Sequence, residues 1–293
     1  MFWLKRNLPR LVVAPSFGVL MWFVYGFIGW TIYISLTKSK LLPQYKFWGS
    51  GQYFRLWSMD RWHVAVENLF IFTVLFLLLC VLIGIILAIL LDQKIRAEGF
   101  LRTVYLYPMA LSFIVTGTAW KWILNPTLGI EKFFQDIGFQ NFNFDWLVTP
   151  GMSIYTIVIA AVWQSSGFIM AIFLAGLRSI DDEIIKAAKI DGAGIVSIYT
   201  KIILPMMRPV FMSAIVILVH LAIKSYDLVI ALTAGGPGIS SDMPAVFMTQ
   251  MAFHRSEIGL ASASAIMMFL TVTAIVVPYL YKSGIKKLDK LIK

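Results

Sequence analysis

Long apolar runs separated by short polar intervals make up most of this 293-residue chain. Six of the runs reach the roughly 20 residues that an α-helix needs to cross the hydrocarbon layer of a membrane, which is about 30 Å thick. We place these spans at approximately residues 11–36, 64–91, 101–124, 152–177, 210–233 and 258–281. The pattern predicts an all-α polytopic membrane protein, with six transmembrane helices in a single domain over residues 1–293.

The longest polar interval in the second half of the chain, residues 178–209, has a pattern of its own. Ser179 and Asp182 form an S-x-x-D pair, which predicts a helix start with reciprocal capping. Gly192 offers a left-handed turn at the end of that helix, and a second apolar pattern with helical spacing then runs to Pro205. The interval is therefore predicted to fold as a compact helix-turn-helix on one side of the membrane, a shape suited to docking.

The distribution of basic residues predicts the orientation of the spans. A net charge of +10 would suggest nucleic-acid binding in a soluble protein, but a mean hydropathy of +0.81 favours a topological explanation. Sixteen of the 25 Lys and Arg residues lie on the side of the termini, eight lie on the other side, and Lys224 lies inside the fifth span. Because positive charge collects in cytoplasmic loops, both termini and residues 178–209 are predicted to be cytoplasmic. The first apolar run is longer than a signal-peptide core, so we expect it to be retained as a span.

Motifs of known chemistry are missing from the sequence. It has no GxxxxGK[ST] P-loop, no HExxH and no GxSxG, and its histidines, His63, His220 and His254, are dispersed. Cys80 is the only cysteine and lies in an apolar run, so neither a disulfide nor a cysteine-based metal site is expected. We therefore expect this chain to bind no cofactor or metal and to hydrolyse no ATP, with an intramembrane enzyme as an alternative.

Charged and polar residues inside the predicted spans are candidates for a solute path. His220, Lys224 and Asp227 fall at i, i+4 and i+7 of the fifth span and would share one helix face. Charges at membrane depth are costly and face protein or water, so this stripe would line a hydrophilic route, with Tyr226 as a stacking group. The alternative is a structural ion pair between Lys224 and Asp227. The fourth span adds four residues that either line the same route or bind helices together, namely Trp163, Gln164, Ser165 and Ser166.

The segments expected on the outer side are rich in aromatic residues. Residues 37–63 and 125–151 each carry at least six Phe, Tyr or Trp side chains. They form either an aromatic belt at the lipid interface or a platform for an extracytoplasmic partner. The third outer segment opens with AGGPG, in which Gly235, Gly236 and Pro237 preclude a continued helix and predict a tight turn.

Residues 186–205, KAAKIDGAGIVSIYTKIILP, resemble the cytoplasmic EAA loop of the membrane subunits of binding-protein-dependent ABC importers. There are two departures from the family pattern, since Lys186 replaces a glutamate and Tyr199 replaces a phenylalanine. By resemblance, the residues that would couple the chain to an ATPase are Lys186, Ala187, Ala188, Asp191, Gly192, Ala193, Tyr199 and Pro205. Because Lys186 reverses the charge, docking is expected to depend on the Gly192 turn and an apolar face. That face would consist of Ile184, Ile185, Ala188, Ile195 and Tyr199.

The likeness extends over nearly the whole chain. LTAGGPG at residues 232–238 looks like the GGP turn after the fifth core span of carbohydrate-type permeases, and residues 102–129 and 161–180 resemble their third and fourth spans. Residues 48–56 and Asn68 resemble their first outer loop and second-span entry. The stretch IKSYDLVIALTAGGPG is most similar to permeases for glucose or mannose.

The resemblance implies the fold of a type I ABC importer permease, in a bacterial inner membrane, and a division of labour between subunits. Two permease subunits, expected to be a heterodimer, would pair, and each would dock its EAA helix on one ATPase subunit, where ATP and Mg²⁺ bind. A soluble extracytoplasmic binding protein would deliver the sugar. Another solute, such as an oligosaccharide or glycerol phosphate, remains an alternative. A secondary transporter is a further alternative, although it would be expected to show internal repeats.

Overall fold

The computed structural model describes residues 2–42, 44–93 and 95–292, and of residues 2–11, 279–280 and 282–292 the backbone alone. Helices make up nearly all of the regular structure in these ranges, and one isolated antiparallel bridge joins Thr37 to Phe47. The all-α prediction is therefore confirmed. Lys94 and Lys293, two of the sixteen basic residues assigned above to the cytoplasmic side, lie outside the described residues.

The described ranges contain fourteen α-helices. They are α1 Phe2–Ser35, α2 Gly51–Trp57, α3 Asp60–Asp92, α4 Glu98–Leu106, α5 Phe113–Ile123, α6 Ile130–Asp136, α7 Ser153–Leu177, α8 Asp182–Ile190, α9 Ile195–Ile198, α10 Leu204–Met206, α11 Arg208–Ile223, α12 Tyr226–Leu232, α13 Pro244–Thr249 and α14 Ile258–Ile292. A 3₁₀ turn at Tyr107–Ala110 and π-helical turns at Tyr199–Ile203 and Gln250–His254 interrupt them.

Four of these helices are long and apolar enough to cross a membrane unbroken: α1, α3, α7 and α14. They correspond to the first, second, fourth and sixth predicted spans. A continuous helix suits this setting because it satisfies every backbone hydrogen bond internally, without help from water.

The third predicted span is not one helix. The segment Glu98–Ala110 meets α5 at an angle of 101°. Pro108 cannot donate a backbone hydrogen bond, Leu111 is extended (ψ 147°), and the Ser112 side chain then caps α5 by accepting from Val115 N at 3.3 Å. Hydropathy alone could not show this break, because both pieces are apolar.

The fifth predicted span is broken too. α11 meets the preceding segment Ile195–Met206 at 64°, and it stops at Ile223. The chain then turns through Lys224 and Ser225 before α12 begins. The Ser225 hydroxyl donates to Met243 Sδ at 3.0 Å. The expected continuous helix over residues 210–233 is therefore wrong.

The chain divides into two compact units. The first comprises the residues up to Trp62 together with Phe247–Thr271. Within it, the first outer segment packs on the start of α14 at Gly259, where an added Cβ would lie 2.6 Å from Thr37 O. Gln52 donates to the same carbonyl at 2.8 Å. The Arg55 guanidinium makes two hydrogen bonds to the Glu257 carboxylate, at 2.9 and 3.3 Å.

The second unit, formed by His63–Val246 and the chain from Val272 onward, is built around α7. In the most apolar stretch of α7, two-thirds of the residues are buried, whereas in that of α3 only about a quarter are buried. α7 is therefore the central helix of the unit. Small residues permit its close contacts: a Cβ at Gly167 would collide with the Tyr105 carbonyl, and one at Gly176 would lie 3.0 Å from Val210. This buried frame carries the polar segments described next.

Candidate coupling loop and solute path

The polar interval of residues 178–209, called the coupling loop from here on, begins directly after α7. Asp181 caps α8: its backbone is extended (φ −64°, ψ 127°), and its side chain accepts from the amide two residues later at 2.9 Å. The predicted reciprocal cap between Ser179 and Asp182 is therefore wrong. Ser179 Oγ donates instead to the Gly176 carbonyl at 2.7 Å, and the Ser179 backbone amide donates to the same carbonyl at 3.3 Å, so Ser179 helps to end α7 rather than to start α8.

The turn after α8 matches its prediction. Gly192 has a left-handed backbone (φ +80°), and Ala193 N donates to the Ala188 carbonyl at 3.0 Å, as in a Schellman motif. Nothing lies within 4 Å of a Cβ added at Gly192. The glycine is therefore required by the backbone conformation rather than by space.

The second half of the loop is helical but irregular. α9 passes into the π-helical turn Tyr199–Ile203, in which Leu204 N bonds to the Tyr199 carbonyl five residues back. Pro205 follows directly and has no N–H to continue a regular ladder. The irregularity lies where the coupling loop joins the fifth span.

Three of the five residues predicted to form a docking face point into the core of their own unit. Ala188 is 7% exposed, and Ile185 and Tyr199 are partly buried against the same core. A helix on a protein surface packs its apolar stripe on its own protein first, and the sequence could not distinguish that stripe from a docking face. Ile184 and Ile195, the other two members, are exposed.

A different apolar set is exposed around the Gly192 turn. Ile190 is 86% exposed, Val196 is 72% exposed and Ile195 is 65% exposed. Lys186 is exposed and forms no ion pair with any residue that the structure describes. Among the other predicted coupling residues, Ala187 and Asp191 are exposed, whereas Ala193 and Pro205 are partly buried. The solvent-exposed surface of the coupling loop is thus apolar at the Gly192 turn and carries the positive charge of Lys186 nearby.

The polar stripe of the fifth span lies on both sides of a helix break. His220 belongs to α11 and Asp227 to α12, while Lys224 lies in the turn between them, so the expected spacing on one helix face does not hold. All three side chains are exposed, and Tyr226 is partly buried. Neither Lys224 nor Asp227 forms an ion pair within the described residues, so the structural-pair alternative is not observed.

The four candidates from the fourth span separate into two groups. Trp163 is 41% exposed and packs edge-on against Trp120, with ring centroids 5.9 Å apart. Gln164, Ser165 and Ser166 are buried. Gln164 Nε2 donates to the Leu111 carbonyl at 2.8 Å, at the break in the third span. Gln164 therefore satisfies a backbone group that the break leaves unpaired, which is a structural role.

The outer turn has the predicted compact form. Ala234, Gly235 and Gly238 have positive φ angles of 54°, 85° and 63°, and the Gly236–Pro237 peptide is cis. These conformations stop the helix and reverse the chain. The candidate residues Gly235, Gly236 and Pro237 thus form a tight turn.

Polar side chains from inside and outside the outer turn hold it in place. Asn68 Nδ2 donates to the carbonyls of Ser240 and Asp242 at 3.0 and 2.9 Å. Ser241 Oγ donates to Gly236 O at 2.7 Å, and the Ser153 and Ser240 hydroxyls lie 3.0 Å apart. No local motif signals the contacts of Asn68 and Ser153, because their partners lie 87 to 174 residues away along the chain.

The second outer segment folds on an aromatic cluster. Phe134 lies 4.8 Å from Phe142, and Phe144 stacks on Trp146 at 4.7 Å between ring centroids. The Glu131 carboxylate accepts from Gln135 and from the Phe144 amide. The choice between a lipid-interface belt and a partner platform stays a prediction.

No group of three or more His, Cys, Asp or Glu side chains that could hold a metal ion occurs within the described parts of the chain. The described residues do contain an exposed apolar turn at Gly192 and exposed charged side chains on both sides of the break in the fifth span.

Comparison with known proteins gives the family. Residues 80–283 match the family described as "Binding-protein-dependent transport system inner membrane component". The chain is 37% identical to the probable ABC transporter permease protein PH1215 of Pyrococcus horikoshii over 281 residues, covering 94% of this chain and 96% of that protein. It is 36% identical to the xylose/arabinose import permease protein XacH of Haloferax volcanii, covering 92% and 86%. It is 28% identical to the trehalose/maltose transport system permease protein MalF of Thermococcus litoralis, covering 94% and 93%.

The fold has close counterparts among solved structures. A chain of a bacterial ABC transporter involved in alginate import matches with a TM-score of 0.80 at 20% identity, covering 96% of both chains. The same kind of transporter in complex with an alginate-bound periplasmic protein matches with a TM-score of 0.79, covering 96% of this chain and 95% of that one. The helical architecture is therefore that of a type I importer permease. From the family match and the 37% identical relative together, this chain belongs to the binding-protein-dependent transport system inner membrane components.

Proposed function

We propose that this chain is a membrane-spanning subunit of an ATP-driven sugar importer and that it works with a binding protein, a second permease subunit and two ATPase subunits. The names of relatives support a sugar, since they include a xylose/arabinose permease and a trehalose/maltose permease. Within that class we propose a glucose- or mannose-like monosaccharide. Another relative is named for sn-glycerol 3-phosphate, which is therefore the first competing solute to test.

The observation that carries the proposal is the exposed apolar surface around the Gly192 turn. Ile190, Val196 and Ile195 would contact water over most of their surface if nothing covered them. At about 25 cal/mol per Å² of apolar surface, covering such side chains favours a permanent partner. A chain without a P-loop requires an external source of work, and an ATPase docked at this turn would supply it. Since Lys186 replaces the family's glutamate, we propose that the contact is mainly apolar.

The exposed charges of the fifth span support a path shared between two subunits. His220, Lys224 and Asp227 are exposed in the isolated chain, although charged side chains are strongly disfavoured against lipid. We propose that they face a water-filled route bounded by the second permease subunit, together with Trp163. Gln164, Ser165 and Ser166 are not part of this proposal, because they are buried within their own unit.

The proposal includes an orientation of the chain in the membrane. The two-to-one bias of basic residues favours cytoplasmic termini and a cytoplasmic coupling loop in a bacterial inner membrane. The aromatic outer segments would then face the binding protein or the outer lipid interface.

The test is reconstitution of the complex with its native partners in proteoliposomes, followed by uptake and ATP hydrolysis over a panel of solutes. The panel contains glucose, mannose, xylose, maltose and sn-glycerol 3-phosphate, each with the binding protein present or omitted. We expect one sugar to stimulate hydrolysis and to be taken up only when the binding protein is present. Uptake that is independent of ATP and depends on an ion gradient would overturn the proposal.

A further inference from the structure

One arginine at the start of the coupling loop contacts the ends of two other helices. Arg178 Nη2 lies 2.9 Å from Glu98 Oε1, and Arg178 Nε lies 3.5 Å from Asp92 Oδ1. Nη2 also donates to the Leu91 carbonyl at 3.4 Å. Asp92 is the last residue of α3, Glu98 is the first residue of α4, and Arg178 directly follows α7. One side chain therefore joins three helix ends.

A second contact joins the end of α3 to the far half of the loop. Gln93 Nε2 lies 3.4 Å from Tyr199 Oη and 3.3 Å from the Ile89 carbonyl, to both of which it donates. The end of α3 thus contacts the coupling loop before α8, through Arg178, and after it, through Tyr199. α8 itself has only Ala188 buried, so packing alone holds it weakly.

An arginine suits this position better than a lysine for geometric reasons. A planar guanidinium can hydrogen-bond to two carboxylates and a carbonyl at once, whereas the ammonium of a lysine is a single point of charge. The Arg178, Asp92 and Glu98 side chains are 42%, 31% and 29% exposed, so solvent weakens each ion pair. The main effect of the cluster is therefore to fix positions rather than to add stability.

We propose that Arg178 is a positioning residue that makes the coupling loop, α3 and α4 move together when an ATPase displaces the loop. This inference rests on the proposed function, because it specifies how work applied at the Gly192 turn reaches the membrane helices. Packed elements move as rigid units, and the Arg178 cluster extends that unit from α7 to two further helices. Without it, α8 can shift while α3 stays behind.

The test compares Arg178→Gln and Arg178→Lys with wild type in the reconstituted complex, measuring sugar uptake and ATP hydrolysis in the same vesicles. Arg178→Gln is expected to retain the ATPase subunits and continue hydrolysis, while the sugar imported per ATP falls about five-fold, the change expected for one partly exposed ion-pair cluster. For Arg178→Lys, the sugar imported per ATP is expected to lie between the values of wild type and Arg178→Gln. Arg102→Gln is the matched control: Arg102 is an exposed arginine of α4 that forms no ion pair within the described residues, so we expect no change.

A further variant separates positioning from folding. Arg178→Gln leaves two carboxylates close together, so adding Asp92→Asn and Glu98→Gln is expected to restore the melting temperature of the complex without restoring uptake per ATP. Wild-type uptake per ATP in Arg178→Gln would overturn the proposal. A parallel loss of hydrolysis, uptake and assembly, reversed in the triple variant, would also overturn it, because it would show a role in folding. The proposed function is tested by uptake in the wild-type complex alone. The role of Arg178 is tested by the difference in uptake per ATP between the variant and wild type, so the two can fail separately.

Discussion

The turn at Gly192 supplies a prediction that separates backbone strain from side-chain contact. The residue has φ +80°, a conformation that residues with a Cβ rarely adopt, and a Cβ placed there meets nothing within 4 Å. Gly194, two residues later, has φ −67° and equally open surroundings. Serine placed at each position therefore adds the same atoms to the same exposed loop, but only at Gly192 does it oppose the backbone.

The expected cost follows from the conformation. A left-handed backbone costs a non-glycine residue about 1–2 kcal/mol, which shifts a local equilibrium by roughly 5- to 30-fold. At Gly194, which is the N-cap of α9, serine is a favoured capping residue, so its effect is expected to be neutral or slightly stabilising. Asparagine tolerates the left-handed region better than serine does, so Gly192→Asn should cost less than Gly192→Ser.

The assay is co-purification of the ATPase subunits, together with uptake in vesicles. Gly192→Ser is expected to insert into the membrane normally, to retain less ATPase and to lose most uptake, while Gly194→Ser behaves as wild type and Gly192→Asn lies between them. Gly192→Asp tolerates the left-handed backbone as asparagine does, but it adds a negative charge beside the apolar turn, so it should lose more uptake than Gly192→Asn. Equal activity of Gly192→Ser and Gly194→Ser would refute the reasoning, because it would show that the left-handed turn does not matter for coupling.

Three further outcomes are expected. The Arg55 guanidinium hydrogen-bonds to Glu257 and holds the pKa of that carboxyl below its ordinary value, so the pair stabilises the fold above the unfolded pKa and stops doing so as the pH falls through the folded pKa. Glu257→Gln should therefore lower the melting temperature at pH 7, with a loss of about 1 kcal/mol or less in unfolding free energy, and the gap from wild type should close as the pH falls through the folded pKa of Glu257; a gap that widens on acidification would contradict this. Gly167→Ala forces a methyl group into the backbone of α4 and should cost about 1–3 kcal/mol in unfolding free energy, whereas Gly99→Ala, in open space on α4, should not destabilise; equal melting temperatures would count against the packing. Asn68→Ala removes two hydrogen bonds to the outer turn and should speed its cleavage by an added protease, so an unchanged rate would show that the turn holds itself.

The parts of the fold that could be predicted from the sequence are those that depend on local composition. α7 and α3 follow from uninterrupted apolar runs, and the turn at Gly192 follows from the only residue type that adopts its φ freely. The docking face could not be predicted in this way. Ala188 and Ile190 both belong to an apolar helix pattern, yet one is 7% exposed and the other is 86% exposed, and only tertiary packing decides between them.

The capping error has a similarly local explanation. Ser179 and Asp182 have the right spacing for a reciprocal cap, but Asp181 lies between them and accepts from the first turn of α8. The three acidic residues 181–183 offer competing cap positions, and the length of the turn after α7 selects among them. Contacts between distant segments, such as Arg178 with Asp92, leave no trace in a single sequence at all.

The broken spans explain why charged groups can exist where an unbroken helix would expose them to lipid. Irregular backbone at membrane depth persists only where protein or water satisfies its polar groups. α12 packs along α5 closely enough that a Cβ at Gly117 would lie 2.6 Å from Ala231 Cβ, so the pieces of the two broken spans support each other. At the break in the third span, Gln164 donates a hydrogen bond to the Leu111 carbonyl, whereas Lys224 at the break in the fifth span is exposed. It follows that a water-filled route is best sought along α12 and the turn before it, and that Lys224→Ala and Asp227→Ala should alter uptake kinetics if that turn faces the solute.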